Sequence, residues 1–160
     1  MKFSLKEVTM KLLFTATTLG LAIAAGHVCA AEPAEKDAIA LVEKGVALVK
    51  SDGKAEMIKR INAKDPTFVQ SALYIYMSDA KTGVILAHPM NPALVGKDLI
   101  DVPDTNGKPF RRAGVDLVAK QGKGWIDYTY KNPASGKIEP KTTYLMRVDD
   151  VILQAGIYKK

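Results

Sequence analysis

Apolar residues at Ile39, Val42, Val46 and Val49 recur in steps of three and four, the spacing that lines one face of an α-helix. Ala38, Leu41 and Leu48 widen this stripe, while Glu43, Lys44 and Lys50 fall on the opposite side. Ser51-Asp52-Gly53 interrupts the helix, and Met57, Ile58 and Ile61 mark the inward face of a second, shorter one that Asp65-Pro66 stops. At Leu73 the period changes to two. Leu73, Ile75 and Met77 alternate with Tyr74, Tyr76 and Ser78, as in a half-buried strand. Asp79 to Gly83 is a turn and Val84 to His88 a second strand, so the pair predicts a hairpin that His88-Pro89 closes, because proline cannot donate to a ladder. Pro89 to Gly107 reads as loop, Phe110 to Lys120 as helix. Three further strands, Trp125 to Tyr130, Thr142 to Val148 and Val151 to Tyr158, are separated by turns at Asn132 to Gly136 and at Asp149-Asp150. The prediction is an α+β domain: an antiparallel sheet of about five strands, a long N-terminal helix and a second short helix.

The leading segment has a different pattern. Lys2, Lys6 and Lys11 precede an apolar run from Leu12 to Ala25, and Val28-Cys29-Ala30 supplies small residues before Ala31. This is the layout of a secretory signal peptide spanning 1–30, with cleavage expected after Ala30. The run is shorter than the roughly 20 residues that span a bilayer. Met10-Lys11 offers an alternative start, and Cys29 a weak lipidation signal in which Val28 stands where a small residue is usual. Residues 31–160 then form one domain, exported to the periplasm or beyond.

Composition narrows the function classes. The 160 residues carry a formal charge of +6, and removing the leader's three lysines and one glutamate leaves about +4. No basic run with interleaved aromatics marks a nucleic-acid face. Cys29 and His27 leave with the leader, so the exported domain has no cysteine and one histidine, which excludes metal sites built from Cys or paired His. Five Gly-Lys pairs, at 53, 96, 107, 122 and 136, lack a following Ser or Thr and so make no phosphate loop. Asp104-Thr105-Asn106-Gly107 lacks the flanking carboxylates of a calcium loop and reads as an Asx turn. No cofactor is implied. Ser135 lies in a turn, not at a nucleophile elbow, and no second catalytic group accompanies His88, so the chain does not read as an enzyme.

What remains is recognition. All six tyrosines, the tryptophan and His88 fall between Tyr74 and Tyr158, on the strand-like runs. His88 can donate to a carboxylate or cap a strand end. Tyr128 and Tyr144, on neighbouring strands, are expected to turn phenols to one pocket or to pack in the core. Lys141, on the strand of Tyr144, is a candidate for neutralising an anion. Trp125 is a wall or core anchor, and Tyr76 and Tyr130 are further candidates, each on one face that alternation leaves unassigned. Arg111 or Arg112 could clamp a carboxylate.

The ordered set Tyr74-Ile75-Tyr76, Asp79 to Gly83, Val84 to Pro92, Val95-Gly96-Lys97, Asp104 to Lys108, Gly124 to Tyr128, Asn132-Pro133, Lys141 to Tyr144 and Gly156 to Tyr158 resembles a single Cache domain. That family supplies the extracytoplasmic ligand-sensing modules of bacterial chemoreceptors and sensor kinases. The resemblance implies a PAS-like sheet and a pocket on one sheet face for a small carboxylate such as acetate, propionate, pyruvate or lactate. It implies His88, through its His-Pro motif, as a ligand contact, and Arg112 as the better match of the two arginines. The chain stops at Lys159-Lys160 where the receptors continue through a membrane helix, so it resembles a free-standing, secreted version. Expected partners are therefore the carboxylate, a membrane sensor kinase or chemoreceptor onto which it docks, with or without its own ligand, and a second copy through the N-terminal helix.

Overall fold

The computed structural model describes residues 33–70 and 72–159; the leader expectations at Met10, His27 and Cys29 lie outside them. Helix α1 (Glu35–Asn62) starts where the Asp37 carboxylate accepts the Ala34 N–H at 2.8 Å, with Glu35 and Asp37 in its first turn and Lys59 and Arg60 in its last, each sign matched to the helix dipole. Gly53 breaks it midway. Its φ of 84° and ψ of 164° lie in a region open to glycine alone, so the long and short helices expected around Ser51-Asp52-Gly53 are the two limbs of α1.

Six strands follow: β1 (Val69–Gln70), β2 (Leu73–Asp79), β3 (Ile85–Ala87), β4 (Lys123–Lys131), β5 (Ile138–Val148) and β6 (Val151–Tyr158), with α2 (Phe110–Gln121) between β3 and β4. The sheet is antiparallel with order β1-β2-β6-β5-β4, and β3 shares the β2 edge with β1. The five expected strands are present, and β1 adds a two-residue strand too short to show a period. The Asp79 turn is built by its own side chain, which accepts from Lys81 N, Thr82 N and Thr82 Oγ1, while Gly83 takes a φ of 71°. Gly122, at φ 74°, ends α2 in a left-handed cap that leads directly into β4.

Alternation along the strands divides the sheet into two faces. Ile75 and Met77 of β2, Val151, Leu153 and Ala155 of β6, and Tyr144 and Val148 of β5 form one core with Leu41, Val42, Val46, Val49, Met57 and Ile61 of α1. Gly45 lets α1 approach the sheet closely: an added Cβ would lie 2.9 Å from Ile75 Cδ1. The opposite face carries two clusters. Phe110 and Val118 of α2 pack with Ile126, Tyr128, Leu145 and Ile152, and Tyr74 and Tyr76 pack with Ile85. Both faces are thus covered, and the second one mixes aromatic and polar groups. Among the described residues no helix is long and apolar enough to cross a membrane.

Candidate functional site

The face opposite α1 holds a fully buried lysine, which core packing alone does not explain. Lys141 sits in the middle of it with a relative exposure of 2%. Register puts it across from Tyr128 on β4 and from Tyr158 on β6. Its Nζ donates to the hydroxyls of Tyr74, at 3.2 Å, and Tyr158, at 3.5 Å, and lies 4.7 Å from the centroids of both rings. The Tyr130 ring is the third neighbour, at 5.9 Å. Among the described residues no carboxylate pairs with this ammonium. Burial pushes its pKa down from 10.5 to about 7, because the charged form has lost its water and found only neutral phenols and ring faces in exchange.

His88, at the end of the β3 segment, is buried beside the same tyrosines. Its ring stacks on Tyr76 at 5.2 Å and tilts against Tyr74 at 5.5 Å. Its Nδ1 accepts the backbone N–H groups of Met90, at 3.2 Å, and Asn91, at 3.0 Å. The capping alternative is realised: Nδ1 holds the loop after Pro89, while the ring faces the tyrosines. Two donors on Nδ1 require the neutral tautomer with its proton on Nε2. Burial, followed by the charges of Lys141 and Arg111, pushes the pKa down to about 4.

A cleft of about 280 Å³ opens against this group, walled by Tyr74, His88, Met90, Asn91, Tyr130, Lys131 and Pro133. Its size is at the small end of ligand pockets, which run from roughly 300 to 1,000 Å³. Lys141 does not itself line it but contacts two of its walls, Tyr74 and Tyr130. Tyr128 is buried one step behind. It bonds Thr143 Oγ1 at 3.0 Å and stacks on Phe110 with ring centroids 4.1 Å apart and planes 5° apart.

The expected site residues therefore separate. His88, Tyr76, Tyr128 and Lys141 come together. Tyr144 and Trp125 do not: they pack on each other at 5.1 Å on the α1 face, in the core beneath the helix. The expectation that Tyr144 shares a face with Tyr128 is corrected by strand geometry, since Tyr144 pairs with Trp125 while Tyr128 pairs with Lys141. Trp125 is thus a core anchor and no wall of this cleft. Arg112 is also corrected. It points to the surface and pairs with Asp101, with Nη2 to Oδ2 at 2.6 Å. Arg111 is the arginine near the site, its guanidinium 4.3 Å above the Phe110 ring and its charge felt by His88, Tyr76 and Tyr128.

Of three further tyrosines at the site, sequence reasoning left the face of Tyr130 open and missed Tyr74 and Tyr158. Alternation carried the signal for two of them. Tyr74 shares the face of Tyr76, and Tyr130 that of Tyr128, because residues two apart on a strand point the same way.

Comparison with known proteins gives the same frame. Residues 34–160 match the family model described as Single Cache domain 2. A methyl-accepting chemotaxis protein from Vibrio parahaemolyticus has a similar structure, with TM-score 0.66 and 26% identity over 77% of this chain and 86% of that one. A periplasmic sensor domain of a chemotaxis protein matches at TM-score 0.60 and 25% identity, over 78% and 90%. A Cache chemosensory domain characterised for carboxylic acid recognition shares the fold, at TM-score 0.61 and 22% identity over 78% and 88%.

Proposed function

Since this chain belongs to the single Cache domain family, we propose that it is an extracytoplasmic sensor-type domain that binds a short-chain carboxylate such as acetate, propionate, pyruvate or lactate. The observation that carries the reading is Lys141. A buried ammonium among neutral phenols is costly unless an anion joins it, and the described residues supply none there. A carboxylate in the adjoining cleft completes the set. Its oxygens take hydrogen bonds from phenols and from His88 Nε2–H, and its charge offsets that of Lys141. The cleft suits a molecule of a few carbons, and Pro133 and the ring faces suit a short apolar tail.

In this scheme Tyr74, Tyr130 and His88 touch the ligand, Lys141 supplies the charge through Tyr74, and Tyr76 and Tyr128 hold the wall. The carboxylic acid recognition characterised for one structural relative is consistent with this chemistry. The leader pattern and the kind of domain the relatives are support a periplasmic location, and the partner would be a membrane chemoreceptor or sensor kinase. The geometry favours binding over catalysis: the Nδ1 lone pair that would serve a general base is already taken by two backbone donors.

A thermal-shift and calorimetric screen of two- to four-carbon acids tests this. Saturation at a hundred times the dissociation constant stabilises by roughly 2.7 kcal/mol. Loss of the shift in Lys141→Met, with retention in Arg112→Ala, is the expected pattern. An absence of any stabilising acid would end the carboxylate reading.

A further inference from the structure

We infer that Lys141 is a proton-binding site coupled to the cleft: an arriving carboxylate is accompanied by a proton taken up on Nζ, so that anion affinity falls as pH rises above neutral. The inference rests on the carboxylate reading for its ligand, and on the hydrogen-bond geometry around Nζ for its mechanism.

That geometry accepts both charge states of the lysine. Tyr158 gives its hydroxyl proton to the Lys131 carbonyl at 2.9 Å, so its oxygen can only accept from Nζ. Tyr74 is not bound in this way. Its hydroxyl accepts from an ammonium at 3.2 Å and, with a rotation of the O–H bond, donates to a neutral amine. The pocket can therefore hold –NH₂ without leaving the nitrogen unpaired.

The surrounding groups leave Lys141 alone to change charge in this range. Tyr74 from β2, Tyr158 from β6 and Tyr128 from β4 all have pKa values raised by burial and stay neutral. Tyr130, the other β4 neighbour, presents its ring face to Nζ. His88, beyond β3, is held neutral by the two N–H groups on Nδ1 and by burial. Arg111 at the start of α2 adds fixed positive charge, and Lys131 stands at the cleft wall. On the strand of Lys141 itself, Glu139 is engaged by Asn132 and Ser135. With the cleft empty, burial weakens the ammonium until neutral and charged forms are comparable near pH 7. A carboxylate restores the charged form, and the linkage requires the proton to come from solvent.

Calorimetry with sodium acetate as probe, at pH 6 to 9 in buffers of different ionisation enthalpy, reads the proton count directly. The expected result is uptake near zero at pH 6, approaching one proton per acetate at pH 9, with the dissociation constant rising toward tenfold per pH unit on the alkaline side. The Lys141 ¹³Cε resonance of the acetate-free protein, assigned by its loss in Lys141→Arg, is expected to titrate near neutrality, and Lys141→Arg to bind acetate without pH dependence. A pH-independent acetate affinity, or a Lys141 resonance that stays fully charged from pH 6 to 9, overturns the inference and leaves the carboxylate reading intact. Titration of Lys141 with no binding of acetate, propionate, pyruvate or lactate supports the proton site and removes the carboxylate.

Discussion

Gly156 leaves room for Lys141 and Thr143: a Cβ placed on Gly156 would clash first with Thr143 Oγ1, and would lie 2.6 Å from Lys141 Cε and 2.9 Å from the carbonyl oxygen of Thr142. The two residues are on neighbouring strands, and register puts Gly156 opposite Thr143, the next residue after Lys141 on the same face. A side chain here would meet the Thr143 hydroxyl and the lysine stem, with fixed backbone behind them. The buried cation thus depends on a missing methyl group in β6.

Gly156→Ala is therefore expected to cost about 1–3 kcal/mol, the range for overpacking a tight interior. Because the lysine stem is the softer neighbour, the same change is expected to displace Nζ from Tyr74 and weaken acid binding beyond its effect on stability. Denaturant midpoints and acetate titration of the variant check both effects.

Stability should rise with alkaline pH in a way that reports Lys141. Its folded pKa, about 7, lies below the unfolded value of 10.5, so between those limits the unfolded chain holds more protons than the native one. Native stability then increases by up to about 1.4 kcal/mol per pH unit in that window. Lys141→Met removes this contribution, and the difference between the two stability profiles from pH 7 to 10 isolates it. A saturating carboxylate should flatten the wild-type slope by restoring the charged lysine.

The acid side should report His88. Its folded pKa of about 4 lies below the ordinary 6.5, so the unfolded chain takes up the proton first as pH falls through that interval. Stability should drop by up to about 1.4 kcal/mol per unit from pH 6.5 toward 4. His88→Asn keeps an acceptor near the Nδ1 position for Met90 N and Asn91 N but cannot titrate. The variant is expected to lose the slope in this interval while retaining the fold at pH 7, measured by urea melts at half-unit steps.

Tyr128→Phe separates wall from ligand contact. The change removes the hydroxyl that meets Thr143 Oγ1 and keeps the ring that stacks on Phe110. Its expected cost is about 1 kcal/mol of stability, with acid affinity nearly unchanged. Tyr74→Phe, which takes a hydrogen bond from Lys141 itself, is expected to weaken binding more than stability.

Local rules made several features of this chain legible before any fold was known. The stripe from Ile39 to Val49 announced α1, and Gly53 announced its break, because helix period and left-handed φ are properties of neighbouring residues. A period-two run announced β2, and Asp79 to Gly83 announced its own turn through bonds within five residues. Alternation also held the correction to Tyr144. It lies three residues from Lys141 on β5, an odd step, and so points to the opposite face.

The sequence by itself therefore determined the elements, the parity of each strand and the group of side chains that could share a face. Tertiary structure decided the rest. Only the order β2-β6-β5-β4 brings Tyr74, Tyr158 and Tyr128 around Lys141, from positions up to 84 residues apart along the chain. Only the seating of α2 turned Arg111 toward the tyrosines and left Arg112 with Asp101. The physical reason is that burial and pKa depend on which distant strands exclude water, and strand pairing across the sheet is not encoded in the spacing of any one segment. Lys141 in sequence is one lysine among many. In the folded sheet it is buried among phenols, with no carboxylate paired to it among the described residues.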